Sequence, residues 1–301
     1  MAKLTEILQR KGRLLTTEFL PPKTAKLSDL VGKVLKVATL IDSVSLPELK
    51  ANEISVPRFR MNPIFTALRL RDLTGVETIF HLTPRDYNKN AVAGLLLAAA
   101  ETNLQNVLVV GGDRYSNKEE HVLSKNVYDY SGCTSLVKGI RGLESEAELG
   151  TSRFCVVVGT DPTVIYTGDR GKAESEVAKL VERQDAGAEL AQTQPVFDMK
   201  YFEFLDLARE QGVKIPILVG ILPLRGKADS VEIEQRYGIT IPHEVKSLLK
   251  ENGGEAGKVL SLELAAGLMK EGVRCIHVYP REDCEFVTSL ARTLSGSNQF
   301  P

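Results

Sequence analysis

Short apolar, β-like runs recur at least eight times along the chain, and nearly every one ends at a polar residue. They span residues 14–19, 41–46, 77–82, 106–110, 154–158, 189–194, 215–221 and 274–279. At or just past their ends stand Glu18, Ser45, His81, Asp113, Asp161, Gln194, Pro223 and Tyr279. Stretches of helical character separate most of the runs. Strand–helix alternation carried through eight units predicts an α/β chain folded as a (β/α)8 TIM barrel. The C-terminal strand ends of that fold form its active-site face. The same pattern therefore predicts an architecture and a set of residues that converge on one site.

A chain of 301 residues has the length of one such barrel or of two smaller domains. No Pro/Gly/Ser-rich linker divides it, so residues 1–301 are expected to form a single domain. Residues 4–11 form an amphipathic helix ahead of the first run, placed to close the bottom of the barrel. The formal net charge is -1, so no basic face advertises nucleic acid. No stretch approaches the ~18 uninterrupted apolar residues of a transmembrane helix, and the first residues lack the apolar core of a secretory signal. A cytoplasmic location is the default that remains. Cys133, Cys155, Cys275 and Cys284 form no CxxC pair, and no His lies at zinc-ligand spacing from them, so no metal is expected. Cys155 and Cys275 fall inside apolar runs and read as small core residues.

Ser28 reads as the N-cap of a helix over 30–38. Further helices are expected over 57–73, 88–102, 174–184, 198–211, 231–237, 242–249 and 257–271. The longest irregular stretch is 111–145, with a short helical run at 133–141. A second covers 159–171. Long loops at the catalytic face of a barrel are usually functional. The tail, residues 295–301, is expected to fray.

Glu18 ends the first run, ahead of Pro21 and Pro22. A carboxylate there is either a solvated strand-end acid or a desolvated one, whose raised pKa suits proton donation near neutrality. Asp113 follows Gly111 and Gly112. The glycines admit a planar ligand and the acid accepts ring N–H groups, although Gly-Gly-Asp is also ordinary turn chemistry. His81 stands in Phe80-His81-Leu82-Thr83-Pro84-Arg85-Asp86. A lone histidine there is more often a hydrogen-bonded structural residue than a catalyst. Thr83 and Arg85 could meet an anion, or Arg85 and Asp86 could pair with each other. The Gln194 amide offers a donor and an acceptor to a heterocycle edge. Phe197-Asp198 reads as a hydrophobic staple and N-cap for the helix that follows. There is no GxGxxG after a strand, no Walker A, no HExxH and no GxSxG.

Taken together, these motifs resemble the methylenetetrahydrofolate reductase family over nearly the whole chain. The pieces that carry the likeness are Glu18-Phe19-x-Pro21-Pro22, His81-Leu82-Thr83 with Arg85-Asp86, and Gly112-Asp113. Asp185-Ala186-Gly187-Ala188 with Thr193-Gln194-x-x-Phe197-Asp198, and Gly220-Ile221-Leu222-Pro223, complete the set. The likeness is to the shorter, bacterial form of the family. It implies a flavin-bearing barrel, with FAD as the cofactor and FMN as the variant form. NAD(P)H would reduce the flavin, and methylenetetrahydrofolate would take the hydride to give 5-methyltetrahydrofolate, in one-carbon metabolism and methionine biosynthesis. Glu18 matches the family's acid at N10. Asp113 matches the aspartate near pterin and flavin, and Gln194 the glutamine that meets the folate. Flavin contacts are implied at Ser45, His81, Val110, Gly112, Asp113, Gly159 and Arg183.

Departures from the family pattern fall on the flavin side. Gly111 replaces the basic residue of an Arg-Gly-Asp sequence. Gly159-Thr160-Asp161-Pro162-Thr163 replaces a Tyr and a downstream His. Glu182 and Arg183 keep only part of the charge expected at the diphosphate, where Arg170-Gly171-Lys172 is a substitute. A flavin-free folate barrel, either a direct NADH-dependent reductase or a tetrahydrofolate methyltransferase, is the alternative. Glu18 favours the reductase, because methyl transfer at N5 has no use for an acid at N10. The acetogenic branch of the family has similar loops and works with other subunits, so a homo-oligomer or a complex with a partner subunit is expected.

Overall fold

A computed structural model describes residues 2–49, 59–112, 114–147, 149 and 154–296. Eight parallel strands close into a barrel in chain order, each hydrogen-bonded to the next and β8 to β1. They are β1 (Leu14–Glu18), β2 (Ser43–Leu46), β3 (Glu77–Leu82), β4 (Asn106–Val109), β5 (Cys155–Thr160), β6 (Leu190–Pro195), β7 (Ile217–Ile221) and β8 (Cys275–Val278). All eight expected runs are strands, with ends shifted by no more than two residues. Ile41 is buried yet precedes β2, because it packs in the outer shell rather than in the ladder.

Side chains alternate along a strand, and the alternation sorts the apolar residues into two cores. Leu15, Val44, Phe80, Val107, Val156, Ala191, Val219 and Ile276 face outward, under the helices. Leu14, Ile79, Leu108, Cys155, Val157, Leu190, Leu218 and Cys275 fill the barrel interior together with Leu4 and Ile7 of helix α1 (Leu4–Lys11). The Leu4 N–H donates to the buried Asn106 side chain at 2.9 Å, which fixes α1 across the N-terminal mouth. This is the bottom plug expected from the sequence.

The outer helices are α2 (Ser28–Val37), α3 (Pro63–Thr74), α4 (Lys89–Glu101), α5 (Asn117–Val122), α6 (Cys133–Glu146), α7 (Arg170–Asp185), α8 (Tyr201–Glu210), α9 (Lys227–Tyr237), α10 (His243–Lys270) and α11 (Cys284–Gly296). Several sequence expectations are corrected here. Residues 133–146 are a full outer helix rather than a short run in a loop, buried through Leu136, Val137 and Ile140. Ser28 is the first helical residue and makes no cap bond. Helix α3 starts at Pro63, after a non-helical 59–62, because Asn62 caps it by accepting from the Ile64 and Phe65 N–H groups; residues 57 and 58 of the expected helix lie outside the described residues. Asp198 is not an N-cap. The cap position is Lys200, and Asp198 accepts from the Lys200 N–H in a turn before the helix. The two pieces expected over 242–271 are borne out: α10 is two helical segments that meet at a break in the backbone at Gly253, whose φ is 71°. Ser295 belongs to α11, and residues 297–301 lie outside the described residues.

Candidate active site

Residues two apart on a strand share a face, so the positions above the interior core point into the barrel mouth. These are Glu18, Ser45, His81, Val110, Gly159, Gln192, Gly220, His277 and Tyr279. Glu18, Ser45, His81, Val110 and Gly159 therefore share one parity and one end of the barrel, whereas Gln194 lies at the same end in a register irregularity between Gln192 and Pro195, past which the alternation does not carry. Asp113 lies outside the described residues. Gly112 just before it is exposed, with a φ of 66°. A Cβ there would stand 3.2 Å from the Arg85 guanidinium and 3.3 Å from Thr83, so this turn favours glycine.

Glu18 sits beside Ser45 in the β1–β2 register. It keeps some solvent exposure. Enough protein still surrounds it for desolvation, helped by the Glu282 carboxylate, to push its pKa up to about 7. Such an acid is about half protonated at neutrality and can give up its proton there. Ser45 Oγ and His81 Nε2 are 2.7 Å apart in a buried pair. Burial drives the His81 pKa down to about 3, so the ring is neutral. It is a hydrogen-bonding group here, not a cation.

A second imidazole lies lower in the barrel. His277 Nδ1 is 2.7 Å from Thr16 Oγ1, and desolvation, with His81 nearby, lowers its pKa to about 3. Tyr279 stacks edge-on against it at 4.5 Å. The Tyr279 hydroxyl donates to the Thr193 carbonyl at 2.8 Å and accepts from the Gln192 amide at 3.2 Å. Gln192 Oε1 and His277 Nε2 are buried without a protein partner among the described residues. Buried polar atoms of this kind are normally met by water or a ligand. Gln192 and the role of His277 were missed in the sequence. The signal for Gln192 was available, two residues before Gln194 on the same strand. Glu48, just past β2, was missed as well. Its pKa is raised to about 7 by burial, and the Tyr87 hydroxyl donates to it at 2.7 Å.

Other candidates are committed to the scaffold. Thr83 and Arg85 both bond Asp86, at 3.0 Å and as close as 2.5 Å, so the ion-pair reading of Arg85–Asp86 holds. Asp161 caps the turn Pro162–Thr167 through the Thr163 N–H. Pro223 is buried just past β7. Arg183 donates to the Gly159 carbonyl at 2.6 Å and lies 3.8 Å from Glu176. Arg170 is paired with Glu174 and Lys172 with Asp169, both at the surface. The rim of Ser45, His81, Val110, Gly112 and Gly159 thus fits a neutral planar ring. The cations suited to a diphosphate are already engaged by protein groups. Two hollows of about 320 and 430 Å³ open around Lys11 and Asp42 on the opposite face. The strand-end chemistry does not converge there, so the C-terminal mouth is the candidate site.

The methylenetetrahydrofolate reductase family model matches residues 3–292. The chain belongs to the methylenetetrahydrofolate reductase family. Its relatives include the 5,10-methylenetetrahydrofolate reductase of Escherichia coli, 24% identical over 92% of this chain and 89% of that one. The corresponding Pectobacterium carotovorum protein is 24% identical over 96% and 92%. A probable methylenetetrahydrofolate reductase (NADH) of rice is 26% identical over 71% of this chain but only 37% of its own length. The chain therefore spans well under two thirds of the plant relatives and most of the bacterial ones. Among solved structures, a Clostridium thermocellum protein described as binding two copies of 5-methyl-5,6,7,8-tetrahydrofolic acid superposes with a TM-score of 0.67. It is 15% identical and covers 98% of this chain and 99% of that one, a likeness of fold. No helix among the described residues is long and apolar enough to cross a membrane.

Proposed function

We propose that this protein is a 5,10-methylenetetrahydrofolate reductase that carries hydride from NAD(P)H to the folate through a bound flavin. The observation that carries the reading is Glu18. In a member of this reductase family, a carboxyl group with a pKa of about 7 ends β1 at the barrel mouth, on the same rim as Ser45, His81 and Gln194. Overall, one hydride reaches the methylene carbon and one proton reaches the ring nitrogen released, giving 5-methyltetrahydrofolate and NAD(P)+. Glu18 supplies that proton at N10, and the carbon is left as a cationic iminium that accepts the hydride. Gln194 orients the pterin edge through its amide. Asp113 is assigned by resemblance to the pterin and the flavin, where a carboxylate stabilises the developing cation.

The flavin, FAD with FMN as the variant, supplies two-electron transfer between two substrates that take turns at one site. Ser45, neutral His81, Val110, Gly112 and Gly159 would hold its ring, with Arg183 toward the diphosphate. The engagement of Arg183 by Gly159 and Glu176 favours a second reading, a flavin-free folate barrel acting as a direct NADH-dependent reductase or a methyltransferase. We place the protein in the cytoplasm, in one-carbon metabolism and methionine biosynthesis, as a homo-oligomer or with a partner subunit. The test is turnover by the purified protein, with NADH and methylenetetrahydrofolate as substrates and product identified by chromatography. Formation of 5-methyltetrahydrofolate supports the reading, and its absence with flavin supplied contradicts it.

A further inference from the structure

The loop between β8 and α11 holds two consecutive non-glycine residues in the left-handed region, Arg281 at φ 52° and Glu282 at φ 72°. That backbone is costly and persists only where its surroundings enforce it. Arg281 reaches away to Asp229 at 2.5 Å, while its carbonyl accepts from Arg225 at 2.7 Å. Asp283 caps the next helix through the Phe286 N–H and pairs with Lys258 at 3.1 Å. Glu282 does neither. It turns back toward β1, where one oxygen accepts from the Leu20 N–H at 3.5 Å and the other takes Lys33 of α2. The strand ends put Tyr279 beside Glu18, since Thr17 pairs with Val278 across β1 and β8.

The groups around Glu18 can be named by element. Ser45 on β2 is neutral, and Tyr279 just past β8 has its proton held by burial and by the Glu18 carboxylate when ionised. His81 and His277 are neutral. Among the described residues Glu282 is the charged group that adds to burial in raising the Glu18 pKa, and the Lys33 ammonium pairs with it. We propose that Glu282 is a positioning residue for Glu18, a like charge held at the barrel mouth by a strained loop and metered by Lys33, so that the proton donor stays loaded. The inference rests on the reading of Glu18 as that donor.

Two substitutions pull in opposite directions. Glu282→Gln removes the like charge and Lys33→Met exposes it. The readout is an infrared pH titration of the protonated-carboxyl band that disappears in Glu18→Gln, made on the full chain. The midpoint is expected to fall by about half a pH unit in Glu282→Gln and to rise by a similar amount in Lys33→Met, both muted by solvent screening. A merely structural loop would move both the same way or neither, and either result overturns the proposal. The rate of folate reduction at pH 8 should follow the midpoints, down in the first variant and up in the second. Midpoints that move while this rate does not would remove Glu18 from the proton-donor role, and the positioning role with it.

Discussion

The hydroxyl of Tyr279 reaches 2.8 Å to the carbonyl of Thr193, spanning β7 to join β8 to β6. It can do so because Gly220 lies between them. A Cβ at Gly220 would stand 2.7 Å from the Tyr279 ring and 2.8 Å from the Thr193 carbonyl. Gly220→Ala is therefore expected to force the ring aside and destabilise the fold by about 1–3 kcal/mol. Tyr279→Phe leaves the Thr193 carbonyl and the Gln192 amide without their partner, at about 1–3 kcal/mol. Denaturant unfolding checks both. KM for the folate should rise in each, because Gln194 follows Thr193 on the same strand.

Glu18→Gln is expected to keep flavin reduction by NADH and to lower folate reduction by about a hundredfold or more. Separate half-reactions in a stopped-flow instrument distinguish the two. Folate reduction at the normal rate would refute the acid assignment.

The same residue sets a pH dependence. Its carboxyl is raised from 4.5 to about 7 on folding. Between those values the folded chain holds a proton that the unfolded chain has lost, so stability falls as pH rises through that window. The folate step also weakens above about pH 7, as the donor ionises. In Glu18→Gln the folate-step trend should disappear and the stability trend should weaken to the part that Glu48 supplies, which unfolding curves at pH 5 and pH 8 will register.

Arg85 is 3% exposed and forks onto Asp86. Arg85→Met would strand that carboxylate and loosen the wall against Gly112. A loss of about 3 kcal/mol is expected, with weaker flavin retention on gel filtration.

The resemblance assigns Asp113 to the flavin and pterin, and on that proposal Asp113→Asn removes a negative charge from beside them. The bound flavin should become easier to reduce, and folate turnover should fall. Potentiometric titration gives the first and steady-state assays the second. An unchanged potential would count against Asp113 lying near the ring.

The barrel was legible because parallel strands covered on both faces must be apolar along their length, and eight such runs have few other uses. Glu18, Ser45, His81 and Gln194 were legible as polar ends to those runs; common parity places the first three together, while Gln194 falls in the irregularity of β6. Helix α6 was obscured because Gly139 and Gly142 dilute its apolar stripe. Gln192 was hidden by reading only the last residue of each strand. Glu282 could not be found from sequence. Its approach to Glu18 depends on a left-handed turn made by residues that rarely adopt one, and on a lysine some 250 positions away.

The most direct test of the account is the visible absorption spectrum of the purified protein under anaerobic conditions, with NADH and then methylenetetrahydrofolate added. The account expects a flavin spectrum that bleaches with NADH and returns with the folate, and chromatography of the released cofactor then distinguishes FAD from FMN. A colourless protein that neither flavin reconstitutes would contradict it and leave the flavin-free reading in its place.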